Sequence, residues 1–353
     1  MAVFKKWQKI GLVLIVGLAG LLLGGKASAN TVGFEVSPVI PKNQVDQSVT
    51  YFDLKLKPQQ TQTLAVNVKN TSSKSITVHT SVAKATTNVN AAVQYKYLKA
   101  DKSINLPYDI SKLITTKQRN LTLKKGESKV VNFKIKMPKK SYEGLLVGGL
   151  TFLKQADKKP DKHAVAIRNQ YSYTIATVLH GKKEFKKNQL TLGEIKATQS
   201  NSYNQISIEL ENRTAAFLNK LATNVQIYKY GGTKAVYQQK NKNGQMAPNS
   251  VYALPLKVGT TPLKPGKYTA KIIVTSKKQH WEFTKDFTIT GKQADKLNKS
   301  AVIDHQTNWW LWIGVGLLIL LLLALLGYYI YRKQRKIKDL EKQLREQQEN
   351  DNH

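Results

Sequence analysis

The sequence predicts an all-β protein, with two immunoglobulin-like antiparallel β-sandwich domains in tandem and a C-terminal transmembrane helix. Three observations lead to this fold class. Apolar and polar residues alternate with a period of two in many short runs between residues 30 and 290. No amphipathic helical pattern of useful length occurs between the two ends of the chain, which disfavours parallel βαβ units. The last apolar run is long enough to cross a bilayer.

The N-terminus has the three parts of a secretory signal. Lysines at positions 5, 6 and 9 precede an apolar run, Ile10–Leu23, and Ala27–Ala29 supplies the small residues that a signal peptidase requires. We predict cleavage after Ala29, so that residues 1–29 are a signal peptide. A retained N-terminal anchor is the alternative, and the Ala-Ser-Ala sequence argues against it.

The strand pattern is clearest in four runs whose alternate residues are all apolar. These runs are Leu64, Val66, Val68; Val131, Phe133, Ile135; Ile206, Ile208, Leu210; and Tyr268, Ala270, Ile272. One face of each strand must therefore be buried and the other exposed to solvent, as in antiparallel sheets that pack face to face.

A weak internal repeat divides these strands between two domains. Ala65–Thr71 and Ser207–Arg213 share an alternating strand followed by Asn at the turn. We assign residues 30–183 to a first sandwich, 184–290 to a second, and 291–308 to a juxtamembrane stalk.

The C-terminal run, Trp309–Tyr331, contains no charged residue and has Trp at one end and Tyr at the other. This is the pattern of a membrane-spanning helix with aromatic belts. Five basic residues follow between Arg332 and Lys338, so the positive-inside rule makes 332–353 a basic cytoplasmic tail. No Leu-Pro-x-Thr-Gly sorting signal precedes the run. We therefore predict a single-pass protein of the cell membrane whose ectodomain is extracellular, in the zone of the cell wall.

The net charge is strongly positive, with 56 Lys and Arg against 22 Asp and Glu. Most of this charge lies in the predicted ectodomain, where genomic nucleic acid is absent, so we expect no nucleic-acid partner. The abundant polyanions outside a Gram-positive cell are wall polyanions, namely teichoic acid phosphates and peptidoglycan carboxylates. The alternative is a generally cationic surface that binds nothing specific.

Catalysis has little support in the sequence. The chain has no Cys, which excludes disulfides, thiolate metal sites and thiol catalysis, and none of its 6 His stands at metal-ligand spacing. Neither a Gly-x-Ser-x-Gly elbow nor a glycine-rich phosphate loop is present. We predict no catalytic residues, no metal and no cofactor, and a wall-modifying enzyme is the least favoured reading.

Several strings resemble one family. In the first domain they are Phe34–Gln44, Tyr51–Leu54, Ala85–Asn88, Tyr142–Leu150 and Tyr173–Leu179; in the second they are Met246–Ser250, Leu263–Tyr268, Trp281–Ile289 and Ala294–Asn298. With the C-terminal span, they make nearly the whole mature chain similar to the WxL-interacting protein family of Gram-positive cell surfaces. One departure is Gln59, which stands where the family pattern leads us to expect Gly.

The resemblance implies a division of labour. The first domain is expected to bind peptidoglycan, and the second is expected to engage WxL-domain surface proteins or host extracellular matrix. The implied function is a membrane-anchored scaffold that holds WxL-domain proteins at the cell wall and has no catalytic activity. An adhesin that binds host extracellular matrix directly is the alternative.

Candidate binding residues follow from side-chain chemistry. Sugar binding favours an aromatic face beside hydrogen-bonding groups, and six residues of the first domain supply both. These peptidoglycan-binding candidates are Asn43, Gln44, Tyr51, Asp53, Tyr142 and Glu143. A structural alternative is that Tyr142–Gly144 forms a turn that opens a buried strand.

In the second domain, one loop provides the partner-binding candidates, because loops carry function more often than strands do. They are Met246, Pro248, Asn249 and Ser250. By contrast, Trp281, Phe283 and Phe287 follow a strand pattern, and we expect them to lie in the core.

Overall fold

The computed structural model describes residues 32–95, 104–155, 170–303 and 309–350, so the predicted signal peptide lies outside the described residues. The chain divides into two compact units after Ala301. The first unit contains two β-sandwiches and two short helices, and the second contains the C-terminal helix. The fold is mostly β, as the sequence predicts.

The first sandwich contains eleven strands and one helical turn. They are β1 (Phe34–Val39), β2 (Phe52–Leu54), β3 (Thr61–Asn70), β4 (Ile76–Lys84), β5 (Thr86–Thr87), β6 (Val93–Gln94), α1 (Ile110–Leu113), β7 (Ile114–Thr115), β8 (Asn120–Leu123), β9 (Ser128–Lys136), β10 (Leu145–Lys154) and β11 (Ser172–His180). One sheet has the order β1-β3-β9-β7, the other β2-β11-β10-β4-β8, and β5 and β6 form a small hairpin. The β2–β11 pair is parallel, whereas the sequence predicts antiparallel sheets throughout.

The core of the first sandwich follows the period-two pattern. Leu64 and Val66 of β3 lie opposite Phe133 and Val131 of β9, and all four side chains are buried. Phe133 meets Phe152 of β10 edge to face, with ring centroids 5.8 Å apart, which joins the two sheets across the core.

The second sandwich contains seven long strands. They are β12 (Leu190–Ser200), β13 (Tyr203–Asn212), β14 (Leu218–Lys229), β15 (Ala235–Met246), β16 (Ser250–Gly259), β17 (Gly266–Ser276) and β18 (Gln279–Ile289). The sheets have the orders β12-β13-β16 and β15-β14-β17-β18. Trp281, Phe283 and Phe287 of the edge strand β18 pack against the core, but they are only half-buried because one side of β18 has no neighbouring strand.

The sequence repeat has a structural counterpart. Asn70 ends β3 and Asn212 ends β13, and both are fully buried. The amide of Asn70 donates to the carbonyls of Lys74, Leu123 and Lys124. The amide of Asn212 donates to the carbonyls of Ala216 and Ala247 in the same way. In each domain one buried Asn thus donates both to the turn that follows its strand and to a second segment distant in sequence.

The predicted stalk begins with a helix that the sequence analysis missed, α2 (Gly291–Ser300). Thr290 caps it by accepting a hydrogen bond from the Gln293 amide. Ala294 is buried and Leu297 packs against the core of the second sandwich. Only these two apolar positions mark the helix face, which is too short a pattern to stand out in the sequence.

The second unit contains the helix α3 (Trp309–Asn350), which continues beyond the predicted span into the predicted tail. Residues 310–343 of this helix are long and apolar enough to cross a membrane by length and composition.

Candidate functional site

An open pocket of about 410 Å³ lies at one end of the first sandwich. Three chain segments line it, and we call it the basic pocket. Its apolar residues are Leu56, Pro58, Met137, Pro138 and Tyr142, and its polar residues are Lys55, Lys57, Lys140, Ser141, His180 and Lys182. Pockets of this size and mixed lining are typical of ligand sites.

Backbone hydrogen bonds between two segments hold the shape of the pocket. The Gln59 amide donates to the carbonyl of Pro138, and the Met137 amide donates to the carbonyl of Gln60. The side chain of Gln60 accepts a hydrogen bond from the Lys57 amide, which closes the turn. Gln59 has φ of 62°, a left-handed conformation that explains why glycine is expected there.

His180 forms one wall of the pocket between two carboxylates. Its Nε2 lies 2.6 Å from Asp53 Oδ1, and its Nδ1 lies 3.3 Å from Glu184 Oε1. Both contacts are hydrogen bonds only when both ring nitrogens carry a proton. These two carboxylates are therefore engaged by the imidazole ring, while the four lysines of the pocket have no carboxylate partner among the described residues.

Three of the predicted peptidoglycan-binding residues hold a loop in place. Gln44 is buried, its Nε2 donates to the carbonyl of Asp46, and its Oε1 accepts from the Asp53 amide. Asn43 is exposed and exchanges two hydrogen bonds with the side chain of Gln62. Asp53 is buried and its carboxylate contacts His180.

The two predicted aromatic residues differ in exposure. Tyr142 is 7% exposed, its hydroxyl donates to the carbonyl of Leu179, and its ring meets Tyr108 edge to face. Burial raises the pKa of the Tyr142 hydroxyl well above its usual value. Tyr51 is half-buried, and burial followed by the nearby Asp53 charge raises its pKa. Tyr142 thus packs in the wall of the pocket and offers no free ring face.

Glu143 is exposed next to Tyr142. The chain beside it is tightly confined, since a Cβ on Gly144 would clash with the carbonyl oxygen of Ala215 in the second sandwich. Of the six candidates, Tyr142 lines the basic pocket, and Asp53 contacts the lining residue His180 from behind. The other candidates, Asn43, Gln44, Tyr51 and Glu143, are not among the lining residues.

The predicted partner-binding loop of the second sandwich lies between the two sandwiches. Met246, Pro248, Asn249 and Ser250 are all buried. Ala247, in the middle of the loop, packs with Val147 and Val178 on the outer face of a sheet of the first sandwich. A role of these residues in partner capture stays a prediction, and it requires the two sandwiches to separate.

Polar contacts fix this loop in place. The Asn249 side chain donates to the carbonyls of Ile104 and Asn105, at 2.9 and 3.0 Å. The Thr87 hydroxyl lies 2.6 Å from the Ser250 hydroxyl and accepts a hydrogen bond from the Ala247 amide. Asn249 adopts φ of 50°, which Asn tolerates better than most residues. The loop therefore ties the two sandwiches together.

The lysines of the basic pocket were not predicted as binding residues from the sequence. Lys57 directly precedes Pro58 shortly after β2, and Lys140 lies two residues after Pro138, shortly after β9. A Lys close to a Pro beyond each strand end is the signal that was available. Among the described residues, no group of three or more His, Asp or Glu side chains is placed to hold a metal ion.

Two family models match this chain, one over each part of the sandwich region. A family model described as "WxL Interacting Protein, peptidoglycan binding domain" matches residues 34–154. A second, described as "WxL Interacting Protein, host binding domain", matches residues 162–299. Together the two ranges cover most of the chain. The second range includes β11, whose hydrogen bonds place it in a sheet of the first sandwich.

Solved structures show only distant similarity. They include the YadV chaperone, with 9% identity, 73% of this chain and 100% of that chain covered, and a TM-score of 0.29. The CsuC–CsuE chaperone–tip adhesion subunit complex from Acinetobacter baumannii has 13% identity, covers 71% of this chain and 97% of its own, and has a TM-score of 0.31. The E. coli chaperone DraB has 13% identity, covers 73% of this chain and 97% of its own, and has a TM-score of 0.27. The comparison with curated proteins returned no match.

Proposed function

Because the chain belongs to the family of WxL-interacting proteins, we propose that it is a membrane-anchored scaffold that contacts peptidoglycan and holds WxL-domain proteins at the cell wall. The peptidoglycan-binding and host-binding domains make it a cell-surface binding protein. Both matched models describe binding domains, which agrees with the absence of a catalytic motif in the sequence.

The observation that carries this proposal is the basic pocket of the first sandwich, most of whose lining lies in the range that the peptidoglycan-binding model matches. Nine of its twelve lining residues belong to the segments 55–58 and 137–142, the other three are residues 180–182 at the end of β11, and four of the twelve are lysines. Peptidoglycan and teichoic acids are polyanions, so a cationic pocket that opens to solvent is suited to them.

The membrane anchor in this proposal is α3. Its apolar part is uncharged between residues 309 and 331, and basic residues follow at once. We infer that the tail is cytoplasmic and that both sandwiches stand in the wall zone. Protease added to intact, wall-stripped cells should then remove the sandwiches and spare an epitope placed after His353. Loss of that epitope in unpermeabilised cells contradicts this orientation.

The second sandwich is the proposed partner-binding part. Binding of host extracellular matrix by the same domain is the second candidate function, and the host-binding family model favours it. The two functions separate in one assay, because a WxL-domain protein and a matrix protein can be offered in turn to the same immobilised chain.

The test uses the full-length protein in detergent micelles. It should co-sediment with purified peptidoglycan sacculi that lack teichoic acid, and it should capture a WxL-domain protein from wall extract. Binding to sacculi should weaken with added salt, since the Debye length falls from about 10 Å at 0.1 M to about 3 Å at 1 M. Failure to bind sacculi at any salt concentration contradicts the wall function, and failure to capture a WxL-domain protein contradicts the scaffold function.

A further inference from the structure

We propose that the basic pocket binds the peptide stem of peptidoglycan through its free carboxylates and does not bind the sugar chain. This inference rests on the proposed wall function and names the chemical part of the polymer that the site takes. The stem is a short peptide with alanine methyl groups and several carboxylates, so its ligand chemistry is anionic and weakly apolar.

The cationic groups of the pocket match the carboxylates. Lys55, Lys57, Lys140 and Lys182 surround the opening, all are exposed, and none has an acidic partner among the described residues. Two carboxylates, Asp53 and Glu184, contact His180 in the pocket wall. The lysines are thus free to form charge-assisted hydrogen bonds with an incoming anion.

The apolar groups match the methyl side chains. Leu56 and Met137 are buried members of the first core, and their exposed edges line the pocket together with Pro58 and Pro138. These aliphatic groups have no hydrogen-bonding atoms in their side chains, so a methyl group of the ligand can pack against them. A volume of about 410 Å³ accommodates a peptide of a few small residues.

A sugar chain does not match the same surface. Sugar rings pack on an open aromatic face and bind neutral donors and acceptors around it. Tyr142 is the aromatic residue of the lining, and its hydroxyl and ring already contact Leu179 and Tyr108. Among the described residues that line the pocket there is no Asn or Gln. The pocket therefore offers sugars neither a free ring face nor an amide side chain.

The experiment measures affinity of the full-length protein in micelles for four soluble probes. They are a stem peptide with free carboxylates, the same peptide with those carboxylates amidated, a wall disaccharide without peptide, and a glycerol phosphate oligomer. We expect the free-acid peptide to bind at least tenfold more tightly than each of the others. Tighter binding of the disaccharide overturns the proposal in favour of sugar recognition, and tighter binding of the oligomer overturns it in favour of teichoic acid.

Two variants locate the site. Lys57→Gln combined with Lys140→Gln should weaken binding of the free-acid peptide about tenfold, the equivalent of about 1.4 kcal/mol. The matched control, Lys117→Gln combined with Lys134→Gln, removes the same charge from exposed positions of the first sandwich outside the pocket lining. Equal loss in both double variants shows that only general charge matters and overturns the proposal.

A second pair of variants tests the cavity without changing charge. Ser141→Trp should fill the pocket and reduce peptide affinity at least tenfold, whereas Ser128→Trp at the exposed start of β9 should leave it unchanged. If the wild-type protein binds intact sacculi and neither pocket variant changes that binding, the result contradicts this inference but not the proposed function. Wild-type protein that binds no sacculi contradicts the proposed function itself.

Discussion

The basic pocket and the Met246–Ser250 loop are both formed where the chain turns between strands, and both contain proline. Their polar side chains differ, because those of the pocket are exposed and those of the loop are buried. In the pocket, Lys57 and Lys140 extend into solvent with no partner among the described residues. In the loop, Asn249 and Ser250 are buried and hydrogen-bonded to the first sandwich. The first arrangement leaves charge free for a ligand, and the second uses polar groups to hold two domains together. Residue type alone does not distinguish them.

The largest effect that separates these regions is expected from Asn249→Ala. Removing its amide leaves the buried side of the interface without donors for the carbonyls of Ile104 and Asn105, which should cost about 3 kcal/mol of unfolding free energy. Denaturant unfolding of the full-length protein measures it. Asn243→Ala is the control, because Asn243 has φ of 60° but is exposed. Equal losses in the two variants contradict the role of Asn249 in joining the sandwiches.

A smaller loss is expected from Trp281→Ala in the edge strand β18. Truncating a fully buried aromatic residue to Ala lowers the free energy of unfolding by about 3–5 kcal/mol. Because Trp281 is only half-buried, we expect a loss of about 2 kcal/mol. Ile272→Ala, in the centre of the same core, should cost more. If Trp281→Ala abolishes capture of a WxL-domain protein without lowering stability, the side chain belongs to a binding surface and not to the edge of the core.

Tyr142→Phe should cost about 1 kcal/mol, because it removes one buried hydrogen bond to the carbonyl of Leu179 and little volume. Peptide and sacculus binding should stay unchanged, since the hydroxyl points into the protein. A variant with normal stability and weakened binding to sacculi identifies Tyr142 as a direct contact, as the sequence analysis predicted.

The smallest expected effect is an increase in stability. Gln59→Gly should raise the unfolding free energy by up to about 1 kcal/mol, because the left-handed conformation strains a residue with a Cβ. Asn243→Gly, at nearly the same φ, should gain less because Asn tolerates this region. A loss of stability in Gln59→Gly shows that the side chain of Gln59 contributes more than its backbone strain costs.

Much of the fold could be predicted from local sequence. Alternating runs such as Leu64–Val68 mark core strands directly, because one face of each strand is buried. The Asn repeat at positions 70 and 212 was also visible, since each Asn follows such a run. Helix α2 could not be predicted in this way, because only Ala294 and Leu297 pack against the core of the second sandwich. Two apolar residues are too few to mark a helix in the sequence, and the strands that they contact are distant in the chain.

The sites were harder to predict because exposure depends on contacts between domains. Sequence chemistry selected Asn249 as a loop residue, and nothing in the sequence shows that it is buried against Ile104 and Asn105. The lysines of the pocket were hidden for the opposite reason. Lys is common throughout this chain, so Lys57 and Lys140 gain meaning only when the fold brings them to one opening.

The central claim is that the wall ligand binds at the basic pocket and not at the junction of the two sandwiches. Amide hydrogen exchange of the full-length protein, with and without the free-acid stem peptide, tests it directly. We predict slower exchange in segments 55–60, 137–142 and 180–182, with no change in 246–250. Protection confined to 246–250, or to the second sandwich as a whole, contradicts the claim.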